Sequence, residues 1–326
     1  MIVLTLALLA YLPAELTPEL PPAPPAPTYT AAARVAPSAD GSAELILIGD
    51  TGEPGPLVTR WQVALKNERA RTAIVLGDLL YPQAPPCPTG VPNPAALAMF
   101  ETNVHAPFAA TGKEVFLLLG NHDMSWVDDE PPRDLCVIRR FEKDPQVRLP
   151  AAWYAVDMGV AALVVLNTNK LDDEQARFAK AIIAAHPGKR VIFAGHHVLR
   201  TFHDKVDEDI IEPWLVQHGL RPDMWVNGHA HVLQLVMRDG IPAVTSGTAS
   251  RPRERPACDR AANTGSCGEG QLWGSSTPGY AVLRVGPASE QQRLSLVFKD
   301  VDGKDLWAWQ EAWVKAPPAP APKTVP

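Results

Sequence analysis

Five apolar runs in this chain each stop at a glycine, and each glycine is followed at once by side chains able to bind metal ions: "LILIGDTG", "IVLGDLLY", "LLLGNHD", "IFAGHH" and "VNGHAH". Together they offer Asp50, Asp78, Tyr81, Asn121, His122, His196, His197, His229 and His231. Carboxylate, phenol, amide oxygen and imidazole in one set suit hard and borderline metal ions. In "GHAH" the two histidines stand at i and i+2, so an extended segment points both rings to one face. Each piece also has an ordinary reading: Asp50 before "TGEPGPL" resembles a helix cap, "GD" is turn sequence, and a lone tyrosine usually packs. The joint pattern, five clusters at five equivalent positions, points instead to a metal site.

Side chains so far apart in sequence converge only if the elements carrying them are aligned. From Glu44 onward, short β-rich runs alternate with segments of helical period, the pattern of an α/β fold. The predicted strands are "ELILIG", "TAIVLG", "EVFLLLG", "AALVVLN", "RVIFAG" and "DMWVNG". Predicted helices span 57–70, 95–108, 172–185 and 208–218. Ligands of open α/β sheets gather beyond the carboxyl ends of the strands, so the five clusters should share one rim. Near the C-terminus "IPAVTSG", "YAVLRVG" and "RLSLVFKD" follow without helices and should close the sheets with antiparallel strands. One long connection, 251–278, reads as irregular and holds Cys258, Cys267, Arg251, Arg253 and Arg255. Those arginines read as a solvated loop with Glu254 as partner; a bidentate grip on an anionic ligand is the alternative.

Composition sets the outer limits. A chain of 326 residues with 46% hydrophobic content can bury a sizeable core. A formal charge of -6 argues against a nucleic-acid surface. Proline-rich stretches at 21–27 and 316–322 favour extended chain, which leaves 1–40 as leader and linker, 41–315 as a single domain and 316–326 as a tail. The apolar run "MIVLTLALLAYL" is too short to span a bilayer and has the length of a signal h-region. Export is the preferred reading, with a short buried helix or a misassigned start as alternatives. The four cysteines suit an oxidising compartment; the close spacing of Cys258 and Cys267 pairs them and leaves Cys87 with Cys136. No CxxC pair offers a thiolate zinc site.

The order GD-x-G, GD-x-x-Y, GNHD, GH, GH-x-H resembles the metallophosphoesterase superfamily of calcineurin-like phosphoesterases, and within it the purple acid phosphatase branch. The wider superfamily usually has His two residues after the first Asp, whereas this chain has Gly52 there and Tyr81 in the second motif. The resemblance covers about 44–247. It implies an αββα sandwich of two mixed β-sheets flanked by helices, with a dimetal site at the sheet edges. It further implies a first metal on Asp50, Tyr81 and His231, a second on Asn121, His196 and His229, and Asp78 bridging both. A phenol is deprotonated only by a strong Lewis acid, so Fe(III) is expected at the Tyr81 position and a divalent ion (Zn, Fe or Mn) at the other.

The implied activity is acid-phosphatase-like hydrolysis of a small-molecule phosphate ester, a metal-bound hydroxide attacking phosphorus. A phosphodiesterase or nucleotidase on the same metal pair, or a non-catalytic surface protein retaining the metals, are the alternatives. His122, beside a ligand but outside the ligand set, is the first candidate for proton donor or phosphate clamp. His203, in "HHVLRTFH", is either the family's second outer histidine or a surface histidine. Asp123 either orients His122 or caps the following turn, and His197 either supports the ligands from behind or covers the site.

Overall fold

In the computed structural model, residues 31–88, 90–124, 133–199 and 208–311 are described. Two β-sheets face one another, and the alternation of apolar side chains along the central strands shows why. In Ala161–Val165, Leu163 and Val165 join the core between the sheets while Ala162 and Val164 join a second core beneath helices. The next strand, Arg190–Ala194, divides the same way, Ile192 and Ala194 against Val191 and Phe193. Strands buried on both faces must read as continuous apolar runs, as these do.

One sheet places Ala43–Ile48, Thr72–Val75, Glu114–Leu117 and Val147–Arg148 in parallel. Its other side is antiparallel: Gly279–Val285 pairs with Ala43–Ile48 and is followed by Leu294–Asp300 and Asp305–Gln310. The second sheet has a parallel centre of Ala161–Val165, Arg190–Ala194, Met224–Asn227 and Ile241–Ser246. Tyr154–Asp157 flanks it on one side and Leu233–Arg238 on the other. Both sheets are mixed, as expected.

Helix Asp173–Ala185 begins where the Asp172 carboxylate accepts the Gln175 N–H at 2.8 Å. It lays Phe178, Ala179 and Ile182 on the second sheet, joined by Ile211, Trp214 and Leu215 of helix Glu208–Gln217. On the first sheet, helix Pro56–Asn67 buries Trp61, Ala64 and Leu65, spaced i, i+3, i+4.

Several expectations need correction. The helix expected over 95–108 is three pieces, Pro94–Phe100, a π-turn over Glu101–His105, and Ala106–Ala109. Pro107 has no N–H to continue the i→i−4 ladder, and the backbone widens just before it. The 251–278 connection is not irregular throughout: Gln271–Ser275 pairs with Leu233–Arg238, and Cys258–Asp259 pairs with Gln271–Ser275 in turn. Toward the N-terminus, Ala33–Arg34 pairs with Tyr154–Asp157, so ordered chain reaches back past residue 41. Both expected cysteine pairs form, Cys87 with Cys136 and Cys258 with Cys267. The apolar leader and the whole of the 316–326 tail lie outside the described residues, among which no helix is long and apolar enough to cross a membrane.

Candidate metal centre

The five glycine-terminated strands end at one rim. There the chain leaves each sheet sharply, and four of the seven expected ligands adopt left-handed backbone conformations: Asp50 (φ 57°), Asp78 (54°), His229 (67°) and His231 (54°). Such conformations cost on the order of 1–3 kcal/mol each in a non-glycine residue and persist where the surroundings enforce them. The ordinary reading of Asp50 as a helix cap fails, because Gly55 holds the cap position of the following helix.

Two groups of side chains result. In the first, the Tyr81 hydroxyl lies 3.2 Å from Asp50 Oδ1 and 3.1 Å from His231 Nε2, and these two lie 3.1 Å from each other. In the second, Asn121 Oδ1 is 3.0 Å from His196 Nε2 and 2.9 Å from His229 Nδ1, with 3.1 Å between the two imidazole nitrogens. Asp78 stands between them. Its Oδ2 accepts from the Tyr81 hydroxyl at 2.8 Å, and its Oδ1 lies 3.2 Å from His196 Nε2. Asp50, Asp78 and His196 are almost wholly buried and offer ligand atoms all within 4.8 Å of one another.

The surrounding backbone holds these atoms in place. A carbonyl cannot donate, so His196 Nδ1, 2.7 Å from Leu76 O, carries the hydrogen and leaves Nε2 to face the centre. Asp123 accepts from Leu79 N at 3.0 Å and Gly120 N at 2.8 Å, so it closes the turn and ties the Asp78 loop to the Asn121 loop instead of orienting His122. A Cβ at Gly120 would collide with Asp78 N and Oδ1. The Thr168 hydroxyl accepts from His196 N and His197 N, both at 3.1 Å, and lies 2.8 Å from His197 Nδ1; His197 is thus buried behind the ligands.

The electrostatics fit a cation. Burial opposes ionisation of Asp78, yet His196 and His122 beside it hold its carboxyl well below the usual range. Burial would also discharge His196, but the Asp78 carboxylate overrides it and raises the imidazole to about 10. Burial, then Asp50 and Asp78, push the Tyr81 phenol far above its ordinary value. Asp123 is pushed up to about 8 by burial and then by the Asp78 charge. Buried carboxylates are expensive without a counter-charge, and here the protons on His196 and Tyr81 stand where cations would. His231 Nδ1 is buried without a hydrogen-bond partner. The donor set fits a pair of metal ions.

The remaining candidates fall at the edge. His122 packs edge-on against Tyr81, with ring centroids 4.7 Å apart, and its Nδ1 faces Pro82 O. Its Nε2 is 4.0 Å from Asp78 Oδ2. His203 lies outside the described residues. Arg251, read as part of a solvated loop with Glu254, instead meets Glu53 and sets its guanidinium 4.9 Å from the Tyr81 ring centroid. Thr168 and the Arg251 contact were not singled out; the one available signal for Thr168 was its place just past Asn167, close behind an apolar run.

The sequence model for calcineurin-like phosphoesterases matches residues 44–233. Purple acid phosphatase 4 of Arabidopsis thaliana is 24% identical over 310 residues, which span 84% of this chain and 85% of that one. Among solved structures, GAP50, described as the anchor in the inner membrane complex of Plasmodium, superposes with a TM-score of 0.56 at 14% identity, over 84% of this chain and 90% of its own. PhoD superposes with a TM-score of 0.51 at 11% identity, over 84% of this chain and 69% of its own. At such identities the two structures speak for the fold alone.

Proposed function

The chain belongs to the calcineurin-like phosphoesterase family, and from that premise we propose that it hydrolyses phosphate monoesters at a two-metal centre of the purple acid phosphatase type. The observation that carries the reading is the division of Asp78 between two side-chain groups, one oxygen to each. In this reading Asp50, Tyr81 and His231 would hold the first ion, Asn121, His196 and His229 the second, and Asp78 would contribute to both. The 24% identity to a purple acid phosphatase agrees with the phenol in the set.

Bound there, the ions supply Lewis acidity toward phosphoryl oxygens and water. The chain's own residues do the rest. Tyr81, as phenolate, is a hard donor that selects a trivalent ion such as Fe(III) for its position, while imidazole and amide oxygen suit Zn, Fe or Mn at the other. Asp78 fixes the spacing of the two positions. His122 keeps Nδ1 on the Pro82 carbonyl, so a protonated ring presents its Nε2–H beside Asp78, where it can pass a proton to the departing alkoxide. His203 is retained as a second outer histidine on the resemblance alone. The two disulfides and the apolar leader support an exported enzyme.

Turnover of matched aryl phosphate mono- and diesters by metal-replete protein, with Asn121→Ala as control, tests the proposal. Preference for the monoester, lost in the control, is expected. Preference for the diester would make the chain a phosphodiesterase or nucleotidase, and no turnover with both metals held would make it a binding protein.

A further inference from the structure

The segment after strand Ile241–Ser246 is sewn to the metal centre on two sides. Ala249 N donates to Gly49 O at 3.4 Å, and Ser250 gives Asp50 O both its N–H, at 3.2 Å, and its hydroxyl, at 2.6 Å. Three residues later Arg253 N donates to His231 O at 3.0 Å. Arg251, between these anchors, has its backbone fixed by the segments of two candidate ligands.

Its side chain is used differently from an ordinary surface arginine. The guanidinium carbon lies 4.9 Å from the Tyr81 ring centroid, within the range of a cation–π contact. The hydroxyl of that ring belongs to the first ligand group, and His122 packs edge-on on the same ring. Tyr81 is therefore a platform carrying a cation and an imidazole on its ring while its oxygen faces Asp50, Asp78 and His231. Arg251 also contacts Glu53, at 3.5 Å from Nε, but both side chains are 51% exposed, so water screens that pair and a better anion can displace it.

We propose that Arg251 is a specificity-determining residue: its guanidinium grips the terminal oxygens of a dianionic phosphate monoester and so favours monoesters over diesters. The inference rests on the hydrolytic reading above. A guanidinium fork matches two oxygens of one phosphoryl group in geometry and charge. A monoester carries up to a second negative charge, with that proton lost near pH 6; a diester has one charge and one fewer free oxygen. A fixed cation at the mouth thus rewards the monoester selectively.

The test compares wild type with Arg251→Ala, Arg251→Lys and Glu53→Gln. Michaelis constants are read for matched aryl mono- and diesters, and inorganic phosphate binding to metal-replete protein is read by calorimetry, with metal content checked. Loss of one charge-assisted contact predicts about a tenfold rise in monoester KM and an equal weakening of phosphate binding in Arg251→Ala. The diester KM should stay unchanged, Arg251→Lys should fall between, and Glu53→Gln should bind phosphate at least as well as wild type. An Arg251→Ala protein with full metals, wild-type phosphate affinity and an unchanged monoester-to-diester KM ratio overturns the proposal, even if the enzyme is active. Wild type that turns over neither ester yet binds phosphate through Arg251 would remove the hydrolytic reading and keep the grip.

Discussion

Asp78 meets Tyr81 through one carboxylate oxygen, Oδ2 at 2.8 Å, and leaves the other, Oδ1, to His196 at 3.2 Å. The carboxylate thereby joins two ligand groups that otherwise have separate members. Asp78→Ala should lose both ions and more activity than the ~100-fold that loss of an outer hydrogen-bond partner costs. Tyr81→Phe should release only the ion of the first group. Metal analysis of the two purified variants checks this, and equal metal content in both would contradict the division.

His122 stands outside both groups, so His122→Ala should keep both metals and lower kcat by roughly 10²–10⁴. The loss should be smaller for esters whose leaving group needs no proton. A uniform loss across leaving groups, or none, would remove the proton-donor role.

These relations were readable in the sequence to different depths. The residues that gather at the rim were legible because each lies within a few residues of a glycine that ends a buried apolar run. The fold class was legible from the same runs. Tyr154–Asp157 and Leu233–Arg238 were not singled out: "YAVD" is four residues long, and "LQLVMR" has Gln234 buried beside Thr245, so it lacks a clean alternation. The left-handed turns at Asp50, Asp78, His229 and His231 have no sequence mark of their own, since none is glycine. The stacking of Arg251 on Tyr81 joins residues far apart in the chain, and only the docking of the 248–253 segment onto Asp50 and His231 brings it about.

Metal uptake should release protons. His196, raised to about 10, and Tyr81, raised further, are protonated in metal-free protein at neutral pH. Each must lose that proton to coordinate, so apparent affinity should fall as pH falls and climb as pH rises toward the His196 value. Calorimetry at pH 8 in buffers of different ionisation enthalpy counts the protons; release of none would contradict the ligand roles of both residues.

A separate pH effect belongs to the packing of Ala33–Arg34. Burial opposes ionisation of Asp157, but Lys189 at 2.7 Å, the Gly159 N–H at 2.9 Å and Arg34 at 2.8 Å hold its carboxyl down to about 2, from an ordinary 3.8. A depressed folded value means the stabilisation is complete above about 4 and is lost as pH falls toward 2. Asp157→Asn should therefore be less stable than wild type at pH 6, and the gap should shrink between pH 4 and 2. Urea melts across that window check it; a gap independent of pH would show that Asp157 stabilises by packing alone.

The central claim is that one carboxylate joins two metal positions into a single phosphoesterase centre. Its most direct measurement is turnover of an aryl phosphate monoester while metal-free protein is titrated with metal, bound equivalents being counted at each step. The account predicts little activity at one equivalent per chain and full activity at two, with Asp78→Ala inactive throughout. Full activity at one equivalent, or activity that survives complete chelation, would contradict it.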